Sequence, residues 1–566
     1  LIDWHHREEK AEWWEYFRLR ELPEEDLLDE VKAIAGLEHV AELGPFLSKK
    51  GKATGSIIHR YRFPLQEVEL TEGDKLRRQD DQPFGEVLAL DRIAQTVDVK
   101  RGPKSGADHP SAVFSIDVIG TRALQDSVMR FAERLRAADY LQASAGTDLL
   151  YRRAPRLRTG DFSPQQGEST TDFAVRVVTE LDRTTLAVQG PPGSGKTYVG
   201  ARMIRAAVAR GMRVGVTATS HKVIQNLFDA VRDQAKAAGE DVRLARKPKD
   251  GEELPPYVLE FNKNEVALAA IRDREVHVLG GTAWLWADED AAGSVDLLFV
   301  DEAGQFSLAN ALAVAPTAGS LVLLGDPQQL DQPQKASHPD GVNVSALGHL
   351  LASAETMPPN LGIFLPETWR LAPNICAFTS ELFYAGRLTS VPALVNQQLA
   401  NGPFNGAGLW WIATQHEGNR SASDEEVEVV RVLVDALVGT SWIDENGIQR
   451  PLAPTDIRVV APYNAQVNRL AAQLEPRGIP VGTVDKFQGQ TCAVAIYSMA
   501  TSRPEDAPRG MEFLYHLNRL NVATSRARCA SFIVGSPALI EPQCRTPRQM
   551  QLANGICRFV EMARQP

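Results

Sequence analysis

The sequence predicts an α/β protein in which two doubly wound parallel sheets follow one another along the chain, preceded by a helical stalk and a small β-barrel. Three observations predict it. A glycine-rich turn, Gly190-Pro-Pro-Gly-Ser-Gly-Lys196-Thr197, separates the apolar run 186–189 from a helical pattern over 197–211. Short apolar runs of parallel-strand type alternate with helical stretches twice over, at 186–189, 213–217, 276–280, 296–301 and 320–324, then at 409–412, 457–461, 481–484, 493–498 and 531–534. Between residues 55 and 119 the texture is different, with brief alternating or β-branched runs separated by turn residues, as in a small barrel.

In order, the pattern over 4–36 is helical and charged, with Trp13, Trp14 and Phe17 on one apolar stripe that reads as packing. Residues 1–44 are therefore expected to form a stalk, 45–119 the barrel, and 120–165 a further stalk helix over 121–151 running into a linker at 161–171. The first sheet domain is expected at 166–355 and the second at 356–566. Within the second, Ser423-Asp-Glu-Glu426 reads as a capping box at the start of a helix.

Composition limits the function classes. The chain of 566 residues exceeds a single core and should divide into about three or four units. No apolar run approaches the roughly eighteen residues that a membrane span needs. Cys376, Cys492, Cys529, Cys544 and Cys557 are scattered, with no Cys-x-x-Cys pair, and read as reduced, mostly core thiols of a cytoplasmic protein. The start at Leu1, without an initiator methionine, is expected of a piece of something longer. A net charge of −11 leaves any nucleic-acid contact to a local groove. The basic clusters Arg152, Arg153, Arg156 and Arg158, and Arg243 to Lys249, read first as solvated faces.

The turn at Gly190, Pro191, Pro192, Gly193, Ser194 and Gly195 has the spacing of a phosphate-binding loop. Its glycines let successive backbone N–H groups turn toward an anion, Lys196 reaches outer phosphates and the Thr197 hydroxyl can ligate Mg²⁺. The helix that follows adds its positive end. The complementary half is Leu297-Leu-Phe-Val-Asp301-Glu302, a buried strand ending in two acids at the carboxyl edge of the sheet. Asp301 suits an Mg²⁺ water shell, and Glu302 suits orienting and deprotonating an attacking water. The next strand runs into Gly325-Asp-Pro-Gln-Gln329, where Gln329 can touch both the γ-phosphate and that water.

The set Gly190–Thr197, Asp301-Glu-Ala-Gly-Gln305 and Gly325-Asp-Pro-Gln-Gln-Leu330 resembles motifs one to three of superfamily 1 helicases. It is most similar to the branch containing the nonsense-mediated-decay RNA helicase and the replication nuclease-helicase. Thr368-Trp-Arg370-Leu-Ala-Pro-Asn374, Ala461-Pro-Tyr463-Asn-Ala-Gln466, Thr483-Val-Asp-Lys-Phe-Gln-Gly489 and Asn521-Val-Ala-Thr-Ser-Arg526 continue the match in the second domain. The resemblance covers 186–537 and implies two tandem RecA-like domains. The lead-in also looks like the helicase half of bacterial fusions with an N-terminal RecB-like nuclease, whose carboxylate–lysine set and cysteine quartet are not in this sequence.

The resemblance implies ATP and Mg²⁺ as cofactors, with Arg370 and Arg526 as arginine fingers and Gln305 and Gly489 among the nucleotide contacts. Trp369 either stacks on the adenine or packs in the core. Nucleic acid would run over Thr217, Thr219, Ser220, His221, Thr282, Pro462, Tyr463 and Thr483, which grip phosphates or stack bases without reading sequence. Two departures bear on nucleotide choice. The adenine-reading Gln expected before Gly190 is missing, with Gln165 and Gln166 out of register, and the ribose-holding Glu is replaced in Gln488-Gly-Gln-Thr491.

The expected function is an ATP-dependent helicase on single-stranded or tailed nucleic acid, DNA over RNA, moving 5′ to 3′ and free of membrane. A nuclease domain on the same full-length chain is the expected partner. The rivals are an ATP-driven clamp or remodeller that does not unwind, and a small-molecule kinase or GTPase. The missing Asn-Lys-x-Asp and the two arginine candidates on a second sheet disfavour the latter.

Overall fold

Runs of four to eight apolar residues closed by turns are too short for a buried helix, and each packs both faces when it becomes a parallel strand. The computed structural model describes every residue except 49, 50, 65, 67, 93, 104, 107, 141, 142, 250, 251, 488 and 566. The chain divides into two compact units, residues 6–120 with 335–337, and residues 1–5, 121–334 and 338–566.

The larger unit holds two parallel sheets. The first orders its strands Val258–Glu260, Leu244–Arg246, Val278–Gly280, Val214–Thr217, Val295–Val300, Ala318–Gly325, Thr185–Gln189 and Gly362–Phe364. All its ladders are parallel. The second orders Gly408–Ala413, Ala527–Gly535, Cys492–Ser498, Ile457–Val460 and Val481–Gly482, again wholly parallel. Each of the ten expected parallel strands is present. Leu186, Val188, Val214, Val216, Leu297, Phe299 and Leu324 pack on one side of the first sheet, each fully buried. At about 1.5–3 kcal/mol per buried aliphatic or aromatic side chain, this core stabilises the strand ends that carry the site.

Several expectations are corrected. The first domain extends past residue 355, because Gly362–Phe364 pairs with Thr185–Gln189 and closes that sheet's edge. The stretch 121–151 is two helices, Arg122–Ala137 and Ala145–Leu150, the second capped by the Ser144 hydroxyl accepting from Thr147 N. The linker at 161–171 ends in Ser169, which caps the helix Thr170–Val178. Ser423 caps Asp424–Leu437 as expected, but Glu426 does not reciprocate. Its buried carboxylate instead takes hydrogen bonds from Ser498 Oγ at 2.6 Å and Ala500 N at 2.9 Å, with His416 Nε2 at 3.0 Å.

Most of the basic clusters are solvated, with Arg152, Arg158, Arg243, Lys247 and Lys249 exposed, but Arg246 and Arg156 are tied into the fold. Arg246 is 1% exposed on a strand, paired with Glu252 and in contact with Gln225 and His221. Arg156 pairs with the buried Asp148 carboxylate, and Arg158 donates to Thr179 O. All five cysteines are free thiols. Among the described residues no helix is long and apolar enough to cross a membrane.

The smaller unit is a seven-stranded antiparallel sheet, ordered Ala33–Ala35, Ala112–Phe114, Lys75–Arg77, Pro83–Asp91, Thr96–Arg101, Ala53–Arg62 and Glu38–Leu47. Its two end strands form no ladder with each other among the described residues, so the expected barrel is found as an open sheet order. Strands begin at Ala33, not at 45, because Pro23 limits the lead-in helix to Trp4–Glu21 and Ala33-Ile34-Ala35 is fully buried. The aromatic stripe is also corrected. Tyr16 and Leu19 face the core, whereas Trp14 is 65% exposed and Trp13 and Phe17 are 43% and 39% exposed.

Candidate nucleotide site

The phosphate loop leaves the strand Thr185–Gln189 and enters the helix Lys196–Ala209, whose first turn contains Thr197. Gly195 caps this helix at φ 79°, in the left-handed region where glycine is unstrained. Gly193, at φ 74°, has a second reason to be glycine. A Cβ there would lie 2.4 Å from Arg370 Cβ and 2.6 Å from Thr368 Oγ1, so the second domain comes directly against the loop. Thr368 Oγ1 donates to Pro192 O at 2.8 Å, and Trp369 N donates to Gly193 O at 2.9 Å.

Lys196 Nζ lies 2.8 Å from Glu302 Oε1 and 3.4 Å from Asp301 Oδ1. Burial opposes its charge, but the two carboxylates outweigh burial and hold the lysine above its ordinary range. Burial pushes the Asp301 carboxyl up, against the pull of Lys196. Asp301 Oδ1 accepts from Glu302 N at 2.8 Å, and Glu302 itself has φ 53°. A non-glycine residue in that region stores strain of about 1–3 kcal/mol, which persists where the surroundings over-determine the geometry.

Loop and acids open onto a cavity of ≈ 490 Å³ that the second domain completes. Gly190, Pro191, Pro192, Gly193, Ser194, Gly195, Lys196, Thr197, Glu302 and Gln329 line one side, and Trp369, Arg370, Gly489, Thr491, Arg526 and Arg528 the other. Arg526 Nη2 donates to Gln329 Oε1 at 3.1 Å across the two domains, and Arg370 Nη1 donates to Ser525 O at 3.4 Å. Neither guanidinium forms an ion pair among the described residues. Burial and the neighbouring Arg526 charge push Arg370 down to about 9, and burial likewise lowers Arg526.

These features fit an anion with a divalent cation. Among the described residues two desolvated guanidinium groups lack an ion-pair partner, and the buried Ser194 hydroxyl has no hydrogen-bond partner. The three charged groups Lys196, Asp301 and Glu302 sum to one negative charge beside the Thr197 helix start, where Mg²⁺ would be held by Thr197 and Asp301.

Behind Gln329 the domains are joined by a second cluster that sequence reasoning did not single out. Asp326, 2% exposed, accepts from Tyr384 OH at 2.6 Å and Gln329 Nε2 at 2.9 Å. Asn521 Nδ2 donates to Tyr384 OH at 3.1 Å and to Gln328 O at 2.7 Å. Burial raises the Asp326 carboxyl despite those donors. Asn521 opens a motif of the second domain, but nothing in the pattern says that it meets Tyr384. Thr491 and Arg528 were likewise missed as cavity residues, and adjacency to Gly489 and Arg526 was the available signal.

Other expected residues are placed differently. Gln305 is partly buried in the turn after the acids and does not line the cavity. Gln165 and Gln166 are exposed and away from it, and Gln488 lies outside the described residues. Trp369 is 65% exposed on the cavity wall, which rules out the core-packing alternative.

The residues expected to meet nucleic acid stand near the carboxyl ends of strands in both sheets. Thr219 and Ser220 are exposed, Ser220 capping the helix His221–Ala238. Thr282 precedes the helix Ala283–Trp286, and Thr483 follows Val481–Gly482. His221 is partly buried, with Arg246 Nη1 at 3.3 Å from its Nδ1. Thr217 and Pro462 are buried. Tyr463, expected to stack bases, is 7% exposed, with its ring 5.5 Å from that of Phe513, so in this conformation it packs in the core.

Two family profiles, both described as AAA domain, match residues 171–339 and 343–538. The DNA replication ATP-dependent helicase/nuclease JHS1 of Arabidopsis thaliana is 24% identical over 392 residues, covering 65% of this chain and 28% of the relative. The helicase/nuclease DNA2 of Xenopus laevis is 26% identical over 400 residues, 64% of this chain and 36% of that one. The DNA-binding protein SMUBP-2 of Rattus norvegicus is 24% identical over 458 residues, 67% and 44% respectively. The chain spans about a third of the length of the helicase/nucleases it matches. Residues 171–538 thus carry two AAA domains homologous to those of superfamily 1 helicases of the DNA-replication helicase/nuclease kind.

Proposed function

We propose that this chain is an ATP-driven motor that tracks single-stranded nucleic acid, DNA rather than RNA, in the 5′ to 3′ direction and separates duplexes ahead of it. The observation that carries the reading is the Arg526–Gln329 contact of 3.1 Å, which brings a cation of the second domain to the reactive edge of the first. Lys196 and the loop amides would hold the phosphates, with Thr197 and Asp301 as Mg²⁺ ligands. Mg²⁺, when bound, would neutralise charge on the transferring phosphoryl group. Glu302 would orient and deprotonate the attacking water, and Gln329 would sense its position. Arg370 and Arg526 would stabilise the charge that develops in the transition state, a contribution typical of arginine fingers. Because these groups stand on opposite walls, the triphosphate would draw the two sheets together and hydrolysis would let them part.

Trp369, exposed beside the loop, would stack on the base. Thr219, Ser220, His221, Thr282 and Thr483, with Thr217, Pro462 and Tyr463 beneath them, would follow the strand across both sheets through hydroxyl and backbone contacts. A nuclease domain on a longer chain and work in the cytoplasm belong to the same proposal, supported by the helicase/nuclease names of the relatives. The test is ATP hydrolysis measured with matched single-stranded DNA and RNA, together with displacement of a labelled strand from tailed duplexes. Stimulation by DNA and displacement on 5′-tailed substrates are expected. Hydrolysis indifferent to either polymer would overturn the reading.

A further inference from the structure

We propose that His39, His59 and His109, in the antiparallel sheet unit, form a zinc-binding site independent of the nucleotide cavity. The three come from separate parts of the sequence. His39 lies on Glu38–Leu47, His59 on Ala53–Arg62, and His109 on the connection between Thr96–Arg101 and Ala112–Phe114. The ladder pairs His39 with Tyr61 and Glu42 with His59, placing the first two imidazoles side by side.

One ring nitrogen from each lies within 4.8 Å of the other two. His39 Nε2 and His59 Nδ1 are 3.1 Å apart, and the rings of His39 and His109 stack with centroids 4.0 Å apart. Two nitrogens bound to one tetrahedral Zn²⁺ at 2.0–2.1 Å stand about 3.3 Å apart, so the first pair is already at coordinating separation. Three imidazoles with a water in the fourth position is a donor set that suits zinc and other late first-row ions.

A built support lies beneath them. Tyr61 is fully buried, and its hydroxyl stands 2.8 Å from His109 Nδ1. A ligating histidine needs an acceptor for its other N–H, so an ion on Nε2 of His109 requires Nδ1–H to donate to Tyr61 OH in place of the Arg101 contact. Arg101 donates to Tyr61 OH at 3.0 Å and to the carbonyls of Ser105, Gly106 and Asp108 at 3.1, 2.9 and 2.8 Å, which fixes the connection carrying His109. Its positive charge, with Nη1 3.1 Å from His109 Nδ1, opposes a dication, and the carboxylates of Glu42 and Asp108 counter it only in part at His59 and His109. The ion would tie that connection to two neighbouring strands.

The test is titration of the metal-free full chain with Zn²⁺ alone, and with Co²⁺ as a spectroscopic stand-in, without nucleotide. One equivalent should bind, and Co²⁺ should give the intense visible bands of a low-coordinate site. His39→Ala and His109→Ala, both at exposed positions, should each weaken binding at least tenfold while circular dichroism stays unchanged. Tyr61→Phe should weaken it about 10–100-fold, as loss of a supporting partner does. Bound zinc should also slow proteolysis within 102–111. Absence of a stoichiometric site, or affinity unchanged in the His39→Ala/His109→Ala double variant, overturns the proposal.

Discussion

At the ends of its strands the first sheet presents Lys196 already held by Asp301 and Glu302, whereas the second presents Arg370 and Arg526 without an ion pair among the described residues. The two sheets share a strand–helix alternation but treat charge in opposite ways. The lysine has its own counter-ions, and the arginines face a cavity that must receive one. A phosphate chain entering between them would satisfy both guanidinium groups and release the acids toward a cation and a water. On the proposed reading, the first sheet would hold the nucleotide and the second would sense its presence.

The sharpest way to break this division is Arg526→Ala, which should lower kcat for ATP hydrolysis by about 10³–10⁵-fold, the range for an arginine finger. Nucleotide affinity, measured by fluorescence of a labelled analogue, should change little. If affinity falls instead, the second sheet holds the ground state. Glu302→Gln should cost about 10²–10⁴-fold in single-turnover hydrolysis, as loss of a general base does, with binding retained. Lys196→Ala should cost about 10²–10³-fold in rate and, unlike Arg526→Ala, should weaken binding too. Parallel losses in all three variants would erase the contrast.

Smaller effects sharpen it. Tyr384→Phe removes the hydroxyl donor to Asp326 Oδ2 and leaves a buried acceptor short of a partner, which costs about 1–3 kcal/mol. That loss should appear as reduced stimulation of hydrolysis by single-stranded DNA, read against the unstimulated rate. The smallest effect concerns pH. Burial holds the His349 imidazole below its ordinary 6.5, with Nε2 donating to Leu150 O at 3.0 Å. Below that pH the unfolded chain takes up a proton that the folded chain resists. The stability is therefore complete above pH 6.5 and declines as the pH falls toward the folded-state value. Thermal unfolding at pH 7.5 and 5.5 should show a smaller difference in His349→Gln than in the unaltered chain.

Much of the nucleotide site was legible because its elements are local. Leu186 to Thr197 writes strand, turn and helix within twelve consecutive residues, and Leu297 to Glu302 ends a strand in acids with no help from elsewhere. Three-residue strands such as Leu244–Arg246 and Gly362–Phe364 carry no readable period, so their place in the sheet was hidden. Arg246 looked like a surface charge because its partner Glu252 and its burial are properties of the folded strand. Glu426 obeyed the capping pattern locally but was drawn into the buried cluster with Ser498 and Ala500.

By itself the sequence determined the order of strands and helices, the phosphate loop, and which residue types stand at each strand end, because hydrophobic period and turn chemistry act over a few neighbouring residues. Only the tertiary structure decided that Arg526 reaches Gln329, that Tyr384 meets both Asp326 and Asn521, that Tyr463 is buried, and that His39, His59 and His109 converge. Those contacts join residues separated by between 20 and 197 positions, and chain folding, not local pattern, brings such pairs within hydrogen-bond distance.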